Sequence, residues 1–138
     1  MVAELIPVTF NKIMQSPTYT VIILGTDQKR FAIYTDPQVG QNIQSYLTEE
    51  KRTRPLTHQL LHSIFAGFDI KPLQVVINNI EDTIYFARLY LEQQVGEQKM
   101  IVEIDTRPSD SLIIALMSNI PVYCRKEILE KAVAVQED

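Results

Sequence analysis

Leu73-Gln74-Val75-Val76-Ile77-Asn78-Asn79-Ile80 and Ile84-Tyr85-Phe86-Ala87-Arg88-Leu89-Tyr90-Leu91-Glu92 are two β-rich runs with Glu81-Asp82 at their turn. They read as a hairpin, because branched and aromatic residues fill both arms and turn formers separate them. Gly96 leads into a third strand, Lys99 to Asp105, after which Arg107-Pro108-Ser109-Asp110 opens a helix to about Asn119. The first half repeats this order. Leu5 to Met14, Thr18 to Leu24 and Arg30 to Thr35 read as strands, and Asp36-Pro37 starts a helix through Ile43 and Leu47, with Asp as N-cap. Gly40 weakens that helix.

Between the halves, Thr48 to Arg54 is a charged connector and Pro55 opens a helix to about Phe68. Its apolar residues, Leu56, Leu60, Leu61, Ile64, Phe65 and Phe68, have helical spacing. A short strand, Pro121 to Cys124, and a terminal helix, Arg125 to Val133, complete the chain. Strands that come in hairpins rather than singly between helices predict an α+β fold with a largely antiparallel sheet. The two hairpin-strand-helix units, each with Gly before its third strand and Pro at its helix start, point to an internal duplication.

The chain has 138 residues, which suits one domain over 1–138, with about 133–138 a flexible acidic tail. The longest apolar run, Leu112 to Met117, has six residues, against about 18 for a membrane span. The start, Met1-Val2-Ala3-Glu4, lacks the basic region of a secretory signal, and the single cysteine, Cys124, suits a reducing compartment. The expectation is a cytoplasmic protein. With 13 Lys and Arg against 17 Asp and Glu, the net charge is -4, which excludes simple coating of polyanions. Only four glycines occur and none forms Gly-x-Gly, so nucleotide-cradling loops and the organic cofactors they hold are not expected.

The densest polar stretch is Glu103-Ile104-Asp105-Thr106-Arg107-Pro108-Ser109-Asp110. On a strand Glu103 and Asp105 share one face, about 7 Å apart. Asp110 sits at the third position of the following helix. Three carboxylates at a strand-helix corner could hold Mg²⁺ or Mn²⁺, ions that activate water for phosphodiester cleavage. The helix N-terminus adds donors for a phosphate. The bland alternative is that Asp110 complements the helix dipole while Arg107 pairs with Asp105 to hold the corner.

His58-Gln59-Leu60-Leu61-His62 has a zincin-like spacing, but Gln59 stands where that chemistry needs a glutamate. On a helical projection His58 lies about 110° from the apolar centre and His62 about 150°, so the first is a boundary residue and the second faces solvent. His58, beside Arg54, could move a proton or touch a phosphate; a core-edge His satisfied by a carbonyl is the equal alternative. Lys51, Arg52 and Arg54 could form a phosphate-facing patch, although a charged linker is usually just solvated. Cys124, in an apolar strand, makes a poor nucleophile.

Taken in order, Arg54-Pro55-Leu56-Thr57-His58-x-Leu60-Leu61, Tyr85-Phe86-Ala87-Arg88-Leu89, Glu103-Ile104-Asp105-x-Arg107-Pro108-Ser109-Asp110-Ser111-Leu112 and Pro121-Val122-Tyr123 resemble the bifunctional nuclease domain family. The resemblance runs to about residue 132. It implies a compact α+β domain, commonly a homodimer, that cleaves DNA and RNA. Set on these residues, it makes His58, Asp105 and Asp110 catalytic candidates and Arg54, Arg107 and Ser109 phosphate-binding candidates. Asp105, Asp110 and Glu103 are the candidate metal ligands. Gln59 stands where relatives usually have an acid, and Asp36-Pro37-Gln38-Val39-Gly40 replaces a Gly-x-x-Glu-Ala type of helix start. The alternative function is a non-enzymatic dimeric binding or regulatory module, in which a second copy helps cover the apolar helix around Leu112 to Met117.

Overall fold

Residues 4–48 and 56–135 are described by the computed structural model of the chain. The first meander, β1 (Leu5–Gln15), β2 (Thr20–Gly25) and β3 (Arg30–Thr35), runs into α1 (Pro37–Leu47). After α2 (Thr57–Gly67), a second meander of β4 (Ile70–Glu81), β5 (Ile84–Val95) and β6 (Gln98–Thr106) runs into α3 (Pro108–Ser118). β7 (Val122–Arg125) and α4 (Lys126–Lys131) follow. The strands form one seven-stranded sheet in the order β3-β2-β1-β7-β4-β5-β6. Every pairing is antiparallel except β4 with β7. The expected α+β class and its two meander-helix units are therefore present, with β7 inserted between them.

The sheet curls because β1 serves two partners. Its first residues pair with β7 and its later ones with β2, and the register shifts between Phe10 and Lys12. A shift of this kind bends a strand and increases its twist. β3 is thereby carried over the sheet to β5, five places along the strand order. Phe31 stacks on Tyr85 with ring centroids 5.1 Å apart. Burial pushes the Tyr85 hydroxyl up to about 12, so the aromatic strand serves the core here.

Two core clusters result. Ile22, Leu24, Phe31, Ile43, Ile77, Ile113 and Cys124 belong to the larger. Val75, Ala87, Leu89, Leu91, Ile114 and Ala115 form the smaller, against Leu61 and Phe65 of α2. Neighbouring residues of α3 enter different clusters, which explains why that helix is apolar on nearly every side. Leu112 to Ala115 are buried by their own chain. Leu116 and Met117, the rest of the apolar run, are half-buried against the larger cluster, so the chain itself supplies most of the cover for Leu112 to Met117.

Gly40 has a packing reason: a methyl there would sit on the Thr20 hydroxyl of β2, so its absence lets α1 approach the sheet. β4 begins at Ile70, earlier than Leu73, and its register shift between Pro72 and Gln74 accommodates the proline. The charged connector beyond Thr48, including Lys51, Arg52 and Arg54, and the helix start at Pro55 lie outside the described residues. Of the expected tail, Val135 is tied down, its N–H donating to the Arg30 carbonyl at 2.8 Å.

Candidate active site

The corner between β6 and α3 is built locally. Arg107 caps α3 in an extended conformation, Pro108 takes the first helical position, and Asp110 falls in the first turn. With the cap extended, the Arg107 side chain folds over that turn. Its Nε donates to Asp110 Oδ2 at 2.8 Å and its Nη2 to Asp110 Oδ1 at 3.3 Å. In place of the Arg107–Asp105 pair of the structural alternative, Arg107 makes this helical pair, three residues apart.

His58 comes from the first turn of α2, which abuts α3. Its Nε2 lies 2.9 Å from Asp110 Oδ1. An ionised carboxylate only accepts, so Nε2 is the donor. The imidazole residue is 8% exposed, more buried than a boundary position suggests. Its Nδ1 is enclosed and has no partner among the described residues. His62 is exposed and takes no part. Gln59 acts locally: its Oε1 accepts the Leu56 N–H at 2.7 Å, a cap on α2.

Burial by itself pushes the Asp110 carboxyl up, but the hydrogen bonds from Arg107 and His58, together with their charges, outweigh it and hold the group below the usual carboxylate range. The same bond to Asp110 raises Arg107, with a smaller contribution from Asp36. Asp36 is the residue that sequence reasoning misses. It caps α1, accepting the Val39 N–H at 3.0 Å, and lines the same cavity as His58, Asp105, Arg107 and Asp110. That cavity is about 810 Å³. A second, of about 590 Å³, shares Asp36, Asp105, Thr106 and Arg107 and reaches Ser109. Residues from the N-terminal ends of α1, α2 and α3 thus line one cleft, whose helix dipoles favour an anion. The matching Asp36-Pro37 and Arg107-Pro108 steps are the signal that could have found it.

Other candidates separate. Ser109 is buried beside the second cavity. Asp105 lines both cavities and makes no hydrogen bond or ion pair among the described residues. Glu103 faces Arg88, at 3.9 Å, and Tyr90 on the sheet surface away from the helices. Burial, then Glu103, pushes the Tyr90 hydroxyl up. Among the described residues no three acidic, His or Cys side chains gather as metal ligands. Glu103, Asp105 and Asp110 therefore do not fit as a shared cage, because both Asp110 oxygens are taken and Glu103 is engaged elsewhere. Cys124 is buried, and that burial pushes its thiol up to about 11. No helix among the described residues is long and apolar enough to cross a membrane.

Comparison with known proteins finds relatives over part of the chain. Proteins of two Mycobacterium tuberculosis strains, each described only as uncharacterized, are 29% identical over 79 residues, covering 57% of this chain and 44% of theirs. An Arabidopsis thaliana protein named Bifunctional nuclease 2 is 30% identical over 82 residues, covering 58% of this chain and 24% of its own. The chain spans less than half the length of these curated relatives. The profile of the bifunctional nuclease domain matches residues 21–137, from β2 through the C-terminal helix. The chain belongs to the bifunctional nuclease domain family.

Proposed function

We propose that this chain is a nuclease that hydrolyses phosphodiester bonds of DNA or RNA in the cleft between the three helix N-termini. The observation that carries the reading is the His58–Asp110–Arg107 set at that cleft. A proton-transfer residue oriented by a fixed carboxylate is the arrangement general-base chemistry requires. Asp110 fixes the ring through Nε2, which leaves Nδ1 as the acceptor of a proton from the attacking water. Nδ1 is enclosed here, so substrate binding has to open a path to it. Arg107 uses Nε and Nη2 on Asp110, and its side chain is 67% exposed, so its remaining N–H groups meet a phosphate oxygen. Helix dipoles favour the same charge, and Ser109 and Arg54 are the further phosphate contacts in this proposal.

A divalent ion, Mg²⁺ or Mn²⁺, would arrive with the substrate and meet Asp105, the carboxylate of the cleft without a partner among the described residues. Nucleic acid binds transiently, the protein works as a homodimer, and the single buried cysteine fits a cytoplasmic setting. Incubation of purified protein with labelled single-stranded DNA, duplex DNA and RNA, each with Mg²⁺, Mn²⁺ or EDTA, tests the activity. Cleavage of at least one substrate is expected. Intact substrates under every condition would favour the second reading, a non-enzymatic binding module. That reading draws on the exposed apolar side chains of α2 and β6.

A further inference from the structure

β6 is the outermost strand of the sheet, and it is open on both faces. Met100, Ile101, Val102 and Ile104 are 52%, 63%, 44% and 39% exposed. A long apolar edge invites strand addition, and soluble proteins normally cover, charge or shorten such an edge. Among the described residues nothing pairs with its outer side.

The ladder shows which backbone groups are free. The Val75 N–H donates to Pro121 O, toward β7. Strand backbone groups alternate sides, so Gln74 and Val76 point to β5, where they pair with Tyr90 and Arg88. Leu89 and Leu91 then point to β6, and their partners Ile104 and Val102 point back. The outward N–H and C=O groups of β6 belong to Lys99, Ile101, Glu103 and Asp105.

We propose that two copies of this chain pair β6 against β6, antiparallel, about a two-fold axis at Val102, forming one continuous sheet. In this register Lys99 faces Asp105 of the partner subunit and Ile101 faces Glu103 of the partner subunit. All four outward residues of each strand then bond through both their N–H and C=O groups. Opposite charges meet, which favours the pairing. Moving the axis to Glu103 sets that carboxylate against its own copy. Moving it to Ile101 leaves Asp105 opposite Glu97, beyond the strand. Pairing outward residues with inward ones matches no donors to acceptors. The strand is thus complementary to itself in hydrogen bonds and in charge, and a second copy is the occupant it fits.

The two-fold keeps the faces of the two sheets aligned. Met100, Val102 and Ile104 lie opposite Gln93, Leu91 and Leu89, on the helix side. Rows from both copies form one apolar strip between the two α2 helices. Exposed Phe68 borders it, since its carbonyl accepts from Gln93, the residue opposite Met100. Asp105 is both an interface residue and a wall of the cleft, so Lys99 of the partner subunit brings a cation to that wall.

This interface rests on the homodimer reading but can fail separately from it. Light scattering of the purified chain is expected to give twice the 15.9 kDa mass of one chain. Ile101→Pro removes an outward N–H and spares the β5–β6 ladder, so it is expected to give a folded monomer. Val102→Cys is expected to form a disulfide dimer on mild oxidation, because directly opposite residues without mutual hydrogen bonds have Cα atoms about 4.5 Å apart, within disulfide reach. Ile101→Cys is expected to stay uncrosslinked. A monomeric wild type overturns both the dimer and the interface. A dimer that survives Ile101→Pro keeps the dimer and overturns the interface, as does cross-linking of the Ile101→Cys variant with none in Val102→Cys. Capture of a foreign extended peptide by a monomeric wild type overturns the proposal in favour of a docking edge.

Discussion

Asp110→Asn removes one charge and leaves the side-chain volume nearly unchanged, so its effect isolates the electrostatics of the corner. The native carboxylate accepts from His58 Nε2 at 2.9 Å and from Arg107 Nε at 2.8 Å. Charge-assisted hydrogen bonds contribute about 1.5–3 kcal/mol each when well shielded. The Asp110 side chain is 30% exposed and that of Arg107 is 67% exposed, so the Arg107 bond belongs at the surface end of the range, below about 1 kcal/mol. An asparagine can still accept from His58, but its amide then turns N–H groups toward the guanidinium. The expected loss is about 1–2 kcal/mol, a fall in Tm of roughly 3–8 °C for a chain of this size. The sign with pH follows from the lowered Asp110 carboxyl. Its folded-state value is below the unfolded one, so its stabilisation is complete above the unfolded value, about 3.9, and is lost as pH falls through the folded value. Thermal melts of wild type and variant should differ by a constant amount from about pH 5 to 7, by roughly the fall just given, and converge in stronger acid. A gap that stays constant into strong acid, or no gap at neutral pH, would refute the reasoning.

Three further outcomes follow from the packing and the caps. Gly40→Ala places a methyl on the Thr20 hydroxyl and should destabilise the chain by about 1–3 kcal/mol in denaturant titration, although alanine favours a helix. Gln59→Ala should cost about 1 kcal/mol through the lost cap on Leu56, while Gln59→Glu should keep stability and leave any cleavage rate unchanged, since that side chain caps α2 rather than entering the cleft. Cys124 should resist a thiol reagent at neutral pH in the folded chain and react promptly once denatured, because burial both covers it and pushes its thiol up to about 11.

Every described element is legible in the sequence, because each carries a local signal. The hairpin around Glu81-Asp82 has its turn with Asp82 at φ 57, and α1 and α3 begin at the expected prolines. The site is legible only in part. Asp110, Arg107 and His58 stand out by motif, but His58 and Asp110 are 52 residues apart, and no periodicity reports that their helices abut. Linear reasoning assigns Arg107 to Asp105, its neighbour on the strand, because it overlooks how an extended cap turns the side chain over the next helical turn. Glu103 and Asp105 do share a strand face, as the alternation requires, yet Asp110 lies round the corner with its oxygens already occupied. The convergence of α1 on the cleft depends on the bend in β1, which the sequence marks only by a run without clean alternation. The spacing on α2 suggests a buried stripe. In the folded chain Leu60, Ile64 and Phe68 are open, because α2 covers only the edge of the sheet.

The central claim is that phosphodiester hydrolysis runs through the His58–Asp110 pair. The most direct measurement is the single-turnover cleavage rate of one labelled single-stranded nucleic acid by wild type, His58→Ala and Asp110→Asn, with circular dichroism showing each variant folded. The account predicts that both variants lose about 10²–10⁴-fold in rate, the usual contribution of a positioned general base. Folded variants that cleave as fast as wild type would contradict it.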